Sequence, residues 1–175
     1  MLHAKNSYFL GVLAAVATVA IWAAFLVGTR FAVSGNLTVD EVLILRLVPA
    51  FLIMLPLMLK LGVIIRGQSI FGLFMIALGA TAVFPYLIST GVYYAPASDA
   101  GALAAGMLPF WTALFAFTIT GEKPTKIRFL GLIIILVGAF LVGFYSILSS
   151  SGINAWKGHL LFLAGSGMWS IYTVY

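Results

Sequence analysis

Arg46 stands in the otherwise apolar run VLILRLVPAFLIMLPLMLK (42–60), with Pro49 and Pro56 behind it. An arginine is always charged, and near mid-bilayer it costs at least about 2.5–3.5 kcal/mol on insertion scales. Arg46 lies about five residues in from the outer end of its span, roughly 7–8 Å of helix rise, where snorkelling lowers that cost. Two uses would account for it. One is a grip on a substrate carboxylate, bidentate where geometry allows. The other is structural, as half of an ion pair or as an anchor at the outer interface. Glu41 lies off the same helical face, which leaves Asp99 as the better partner for the structural use.

Other polar groups are sparse. Glu122 sits in TGEKPTK (120–126), within reach of Lys123, Lys126 or Arg128. That makes it a structural residue at the cytoplasmic face or part of a gating salt bridge. Thr125 is the expected N-cap of the following helix, although Arg128 stands where a full capping box wants Glu or Gln. Histidine as a residue type can exchange a proton near neutrality, which gives His159 two readings, proton coupling or polar trim at an interface. Pro49, Pro56, Pro85 and Pro109 each remove a backbone donor and free a carbonyl. Such kinks suit either alternating access or simple packing. Trp22 and Trp169 lie well inside their spans, away from the usual interfacial belt. Tyr86 and Tyr93 share a helix face with Ser89 and Thr90 beside it.

These residues need a frame, and composition supplies it. Of 175 residues, 63% are hydrophobic and 7% charged, against about 25% charged in a soluble domain. Apolar stretches near the roughly 20 residues a membrane helix needs recur along the whole chain. The expected class is an all-α polytopic membrane protein in contact with the lipid bilayer. The net charge of +5 comes from basic residues in short turns, not from a stripe on a soluble face, so nucleic acid is not an expected partner. With Cys 0 there is no disulfide, thiol nucleophile or thiolate metal site. No HExxH, G-x-S-x-G, paired intramembrane carboxylates or phosphate loop is present, and GSGMWS (165–170) lacks the third glycine of a dinucleotide fingerprint. No enzyme activity, metal or cofactor is expected. The run Tyr8–Gly28 behind Lys5 is too long for a signal-peptide core of about 7–15 residues, and reads as a helix that stays.

Six spans follow, at 8–30, 41–60, 70–94, 97–120, 127–148 and 158–175, separated by the Gly, Pro, Ser and Asn punctuation that ends helices. Lys5, Lys60, Arg66, Lys123, Lys126 and Arg128 fall on one side. Arg30 and Lys157 fall on the other, with Asp40, Glu41 and Asp99. The excess puts the N-terminus in the cytoplasm. Asn36-Leu37-Thr38 matches a glycosylation sequon but lies too near the membrane to weigh. An internal pattern is more informative. GVLAAVATVAIWAAFLVG (11–28) aligns without gaps on GHLLFLAGSGMWSIYTVY (158–175), pairing Gly11 with Gly158 and Trp22 with Trp169. On this reading the sixth helix opens a second copy of a five-helix unit. Five is odd, so that copy enters from the other side, giving an inverted repeat of the kind secondary transporters use. Residues 1–150 are then the first repeat and 151–175 the truncated start of the second.

In order, the segments AIWAAFLVGTRFAV, LILRLVPAFL, STGVYYAPASDAGALAAGMLPFWTALFAF and GEKPTKIRFLGLIIILVGAFLVG resemble EamA-type members of the drug/metabolite transporter superfamily. KGHLLFLAGSGMWSIYTVY resembles the start of that family's second repeat. The resemblance implies a ten-helix fold of two inverted five-helix halves around a central cavity, in a multi-pass protein of the bacterial inner membrane. It implies efflux or exchange of small metabolites such as amino acids, driven by a proton or other ion gradient or by a counter-substrate. The family's cavity draws on its first, third, fourth and sixth helices, which makes Trp22, Tyr86, Trp111 and Trp169 the expected lining beside Arg46, with Pro109, Asp99 and Glu122 as structural or gating residues. Each aromatic also has a lipid-facing or packing reading. The alternative function is a non-transporting half-protein that needs a partner, and polar groups left toward lipid would make a six-helix monomer unstable or oligomeric.

Overall fold

The computed structural model describes residues 2–62, 69–149 and 154–174. Helices occupy all six expected stretches: α1 (Leu2–Ser34), α2 (Val39–Leu61), α3 (70–94), α4 (Ala97–Thr120), α5 (Lys126–Leu148) and α6 (Ala155–Val174). Among the described residues, four are long and apolar enough to cross a membrane: Tyr8–Ser34 of α1, then α2, α4 and α5. Arg66, which contributes to the expected orientation, and the expected boundary at 150/151 lie outside the described residues.

Local chemistry sets the helix ends. Thr38 caps α2, its hydroxyl accepting from the Glu41 amide while the Glu41 carboxylate accepts from the Thr38 amide at 2.7 Å. This reciprocal box satisfies two otherwise orphaned donors. Thr125 caps α5, accepting from the Arg128 amide at 3.4 Å, without the return bond. Gly121 ends α4 in the left-handed region, φ 74°, with its N–H on the Phe117 carbonyl; a side chain there would be strained. Thr38→Ala is expected to lower unfolding free energy by about 1 kcal/mol, and Thr38→Ser to keep it; urea unfolding in detergent micelles followed by circular dichroism reads the difference.

The prolines divide into two kinds. Pro49 and Pro56 were expected to disrupt α2, yet Val39–Leu61 is helical throughout, because losing one hydrogen bond per proline is tolerated in an apolar helix. Pro85 and Pro109 coincide with real departures. In α3 a π-helical stretch, Ala77–Val83, precedes Pro85, which falls in the first turn of Phe84–Tyr94. In α4 a π-helical stretch, Gly101–Ala105, and a turn at Gly106 and Met107 precede Pro109, in the first turn of Leu108–Phe115. A first-turn proline lacks an N–H that would be orphaned anyway, and the wide turns absorb the mismatch behind it.

The buried core lies where α3, α4 and α6 meet, around Ile88, Val92, Leu103, Met107 and Phe162. Two devices bring α6 in. Glycines let backbones touch: a Cβ on Gly158 would lie 2.5 Å from the Ala95 Cβ and 2.7 Å from the Gly91 carbonyl oxygen. This is the small-residue packing of membrane helices. Serines then tie α6 to α4, with Ser166 Oγ donating to the Ala104 carbonyl at 2.7 Å and Ser170 Oγ to that of Leu108 at 3.4 Å. Those acceptors flank the turn ahead of Pro109. By contrast α1, α2 and α5 carry most of their large apolar side chains exposed, as lipid-facing helices do.

Candidate functional site

Three aromatic rings from three helices meet on one side of this core. Trp22 of α1 and Trp169 of α6 pack edge to face with centroids 5.3 Å apart. Phe84 of α3 lies 4.6 Å from Trp169 and 6.0 Å from Trp22. Such tilted contacts suit the ring quadrupoles. Each ring has a local reason to be there. Phe84 is where α3 resumes ordinary helix after its wide stretch, and Trp169 follows Ser166 and precedes Ser170, the two serines that fix α6. On α1, Ile21 and Phe25 are four apart and share Trp22's side of the helix.

Arg46 of α2 completes the group. Its guanidinium carbon sits 3.8 Å from the centroid of the Phe25 ring, a cation–π contact. Together with Ile21 and Pro85, these residues line a partly open cavity of about 160 Å³. Among the described residues no carboxylate or carbonyl accepts a hydrogen bond from Arg46.

The expected partner is engaged elsewhere, which corrects the pairing of Arg46 with Asp99. Asp99 begins α4 and turns beneath α5. Its Oδ2 accepts from Ser146 Oγ at 2.5 Å and from His159 Nε2 at 2.9 Å, and its Oδ1 from Ser98 Oγ at 3.2 Å. His159, which could have been interfacial trim, is buried. The three residues stand on three helices with no local spacing to link them. Their shared position at the same end of α4, α5 and α6 was the one signal available. Ser146 donates to Asp99, not to His159, so this is not the order of a serine nucleophile relay.

The other expected lining residues lie apart from Arg46. Tyr86 is 48% exposed on the outward face of α3, with Tyr93 on the same face, whereas Ser89 turns inward and is buried. Trp111 stacks on Phe115 at 5.8 Å and packs over Gly167 of α6. Its buried indole N–H has no partner among the described residues. Pro109 and Glu122 line a larger cleft of about 610 Å³ between α4 and α5. The charged groups there, Glu122 and Arg128, pair with each other at 3.4 Å and are both well exposed. That cleft is otherwise nearly all apolar and offers no uncompensated charge. The smaller cavity, with an unpaired cation and aromatic walls, is the better candidate for a binding site despite its size.

The model of the EamA-like transporter family matches residues 9–144. No curated protein and no solved structure matches the chain. The chain belongs to the EamA-like transporter family and is an integral membrane protein of the drug/metabolite transporter superfamily.

Proposed function

We propose that this protein is a secondary transporter, an exporter of small carboxylate-bearing metabolites such as amino acids, in a bacterial inner membrane with its N-terminus in the cytoplasm. On this reading all six helices cross the membrane. The first five form one repeat, α6 opens an inverted second one, and the two halves alternate access to a site between them. Trp22, Arg46 and Trp169 carry substrate contact. Tyr86 and Trp111 stand outside it, and Pro109 and Glu122 belong to the α4–α5 cleft.

The observation that carries the reading is the unpaired Arg46. Its helix starts at Val39, so the residue lies about seven positions in, roughly 10 Å of rise. A cation at that depth without a counter-ion is costly, and a bound carboxylate would offset the cost through charge-assisted hydrogen bonds. The rings of Trp22, Phe84 and Trp169 would take the apolar part of the same ligand. About 160 Å³ is a few waters' worth of space at roughly 30 Å³ each, on the scale of a small amino acid and not of a bulky drug.

The test is counterflow in proteoliposomes of the full-length protein, loaded with unlabelled amino acids and offered each labelled amino acid in turn. Transient accumulation of at least one, above protein-free vesicles, is the expected result. A flat response to every amino acid and to simple organic acids would overturn it and favour a non-transporting subunit that needs a partner.

A further inference from the structure

Asp99, Ser146 and His159 form no part of the cavity at Arg46, yet they are 6%, 5% and 7% exposed. In a chain with so few ionisable groups, a buried carboxylate–imidazole pair calls for a use. Its surroundings suggest one. Asp99 and Ser146 line a cavity of about 560 Å³ on one flank of α5. His159 lines a different cavity, of about 340 Å³, on the other flank. The 2.9 Å contact between them therefore bridges two cavities beneath one helix. His159 Nδ1, the nitrogen not bonded to Asp99, faces Gly143 of α5, where an added Cβ would lie 3.7 Å away.

Other titratable groups lie nearby. Tyr145 of α5 shares the cavity of Asp99. Lys157 of α6 holds its ammonium 5.7 Å from the ring centroid of Tyr94, at the end of α3. Arg30 of α1 donates to the Val92 and Tyr93 carbonyls at 2.6 and 2.9 Å. Among the described residues His159 alone comes within ion-pair distance of Asp99.

We propose that the Asp99–His159 pair is the proton-binding site that couples this transporter to a proton gradient, with the transported proton held on His159. The proposal rests on the transporter reading above. In the unloaded state neutral His159 donates Nε2–H to the Asp99 carboxylate, and the pair carries one net negative charge. A proton from water adds to the Nδ1 lone pair; no other bond forms or breaks, and the pair becomes a neutral carboxylate–imidazolium contact. Release from Nδ1 to water reverses the step. In a low-dielectric site the loaded contact is much the stronger, so loading tightens α6 against α4 and unloading loosens it. Trp169 stands on the same α6, ten residues on from His159 or about 15 Å of rise. A rigid α6 thus links the proton site to the aromatic cavity.

The experiment uses full-length protein in vesicles of phosphatidylethanolamine and phosphatidylglycerol with a pH-sensitive dye trapped inside, and labelled amino acids as the probe. Counterflow without a gradient is measured beside accumulation under an imposed pH gradient. His159→Gln stays neutral and His159→Lys stays charged, and each keeps an N–H donor toward Asp99. Both are expected to keep counterflow and to lose gradient-driven accumulation and dye-reported proton movement. A fold-preserving check starts from a full-length variant in which every histidine other than His159, His3 among them, is replaced by glutamine. Diethyl pyrocarbonate should then abolish coupling but not counterflow, and hydroxylamine should restore it. Gradient-driven accumulation that survives His159→Gln, His159→Lys or the reagent overturns the proposal and makes the pair a structural contact. Wild-type counterflow without proton movement overturns it while leaving the transporter reading intact. Absence of wild-type counterflow overturns both.

Discussion

Arg46→Lys is expected to lower transport at least tenfold, in kcat/KM, while membrane abundance stays at the wild-type level. Lysine keeps the charge but loses the planar fork that binds a carboxylate through two parallel bonds, and it stacks less well on a ring. In this structure the guanidinium carbon already sits 3.8 Å from the Phe25 centroid, a contact that restrains the head group before any ligand arrives. Arg46→Ala removes the charge as well. Losing one partner of a desolvated charge pair costs about 2 kcal/mol or more, about 30-fold in affinity or beyond. Initial rates of labelled substrate uptake into inverted vesicles, normalised to immunodetected protein, read both. Full activity in Arg46→Lys would remove the substrate contact. A fall in abundance matching the fall in rate would make Arg46 a structural residue.

Gly158→Leu is expected to have the largest effect on the fold. The space beside Gly158 is filled by backbone, since the Gly91 carbonyl oxygen would lie 2.7 Å from a new Cβ and the Ala95 amide nitrogen 2.9 Å from it. Backbone cannot move aside as the end of a flexible side chain can. Overpacking by even one methyl typically costs about 1–3 kcal/mol, so Gly158→Ala should be measurably unstable. Leucine should push α6 off α3, carrying His159 and Trp169 with it. Size-exclusion chromatography in mild detergent should show loss of the dispersed peak for Gly158→Leu. Gly11→Leu is the control, because nothing lies within 4 Å of a Cβ there. Equal behaviour of the two variants would contradict the close crossing of α3 and α6.

The contrast between these glycines shows what a sequence alone reveals. Gly11 and Gly158 coincide in the internal alignment, yet one is open and the other lies hard against the backbone of α3. Residue type reports that close approach is allowed and says nothing about whether a neighbour takes it up. Where information is local, the reading was sufficient. Long apolar runs marked all six helices, and the Thr125 cap with its failed box could be read from four residues. The reciprocal box of Thr38 and Glu41 was equally local. Thr38 also completes a sequon and Glu41 also lies near Arg46 in sequence, and those competing readings mask the cap. Prolines were visible, but their consequences were not. Pro49 and Pro56 leave α2 continuous while Pro85 and Pro109 follow wide turns, and the difference depends on neighbouring backbone and packing. The Asp99–Ser146–His159 cluster was beyond reach because three helices must assemble before it exists. Trp22, Arg46 and Trp169 line one small cavity, whereas Tyr86 and Trp111 face elsewhere on their helices.

Residues 1–175 contain no cysteine, so with any cysteine elsewhere in the full-length protein replaced by serine, a single introduced thiol reports on one position without background. Ile21 borders the Arg46 cavity without touching the proposed grip on substrate. In the full-length protein Ile21→Cys should react with a membrane-impermeant methanethiosulfonate reagent, and amino acids that drive counterflow should slow that reaction while Arg46→Ala abolishes the protection. A thiol at residue 21 that never reacts, or reacts at the same rate with and without transported substrate, would contradict a substrate site at Arg46.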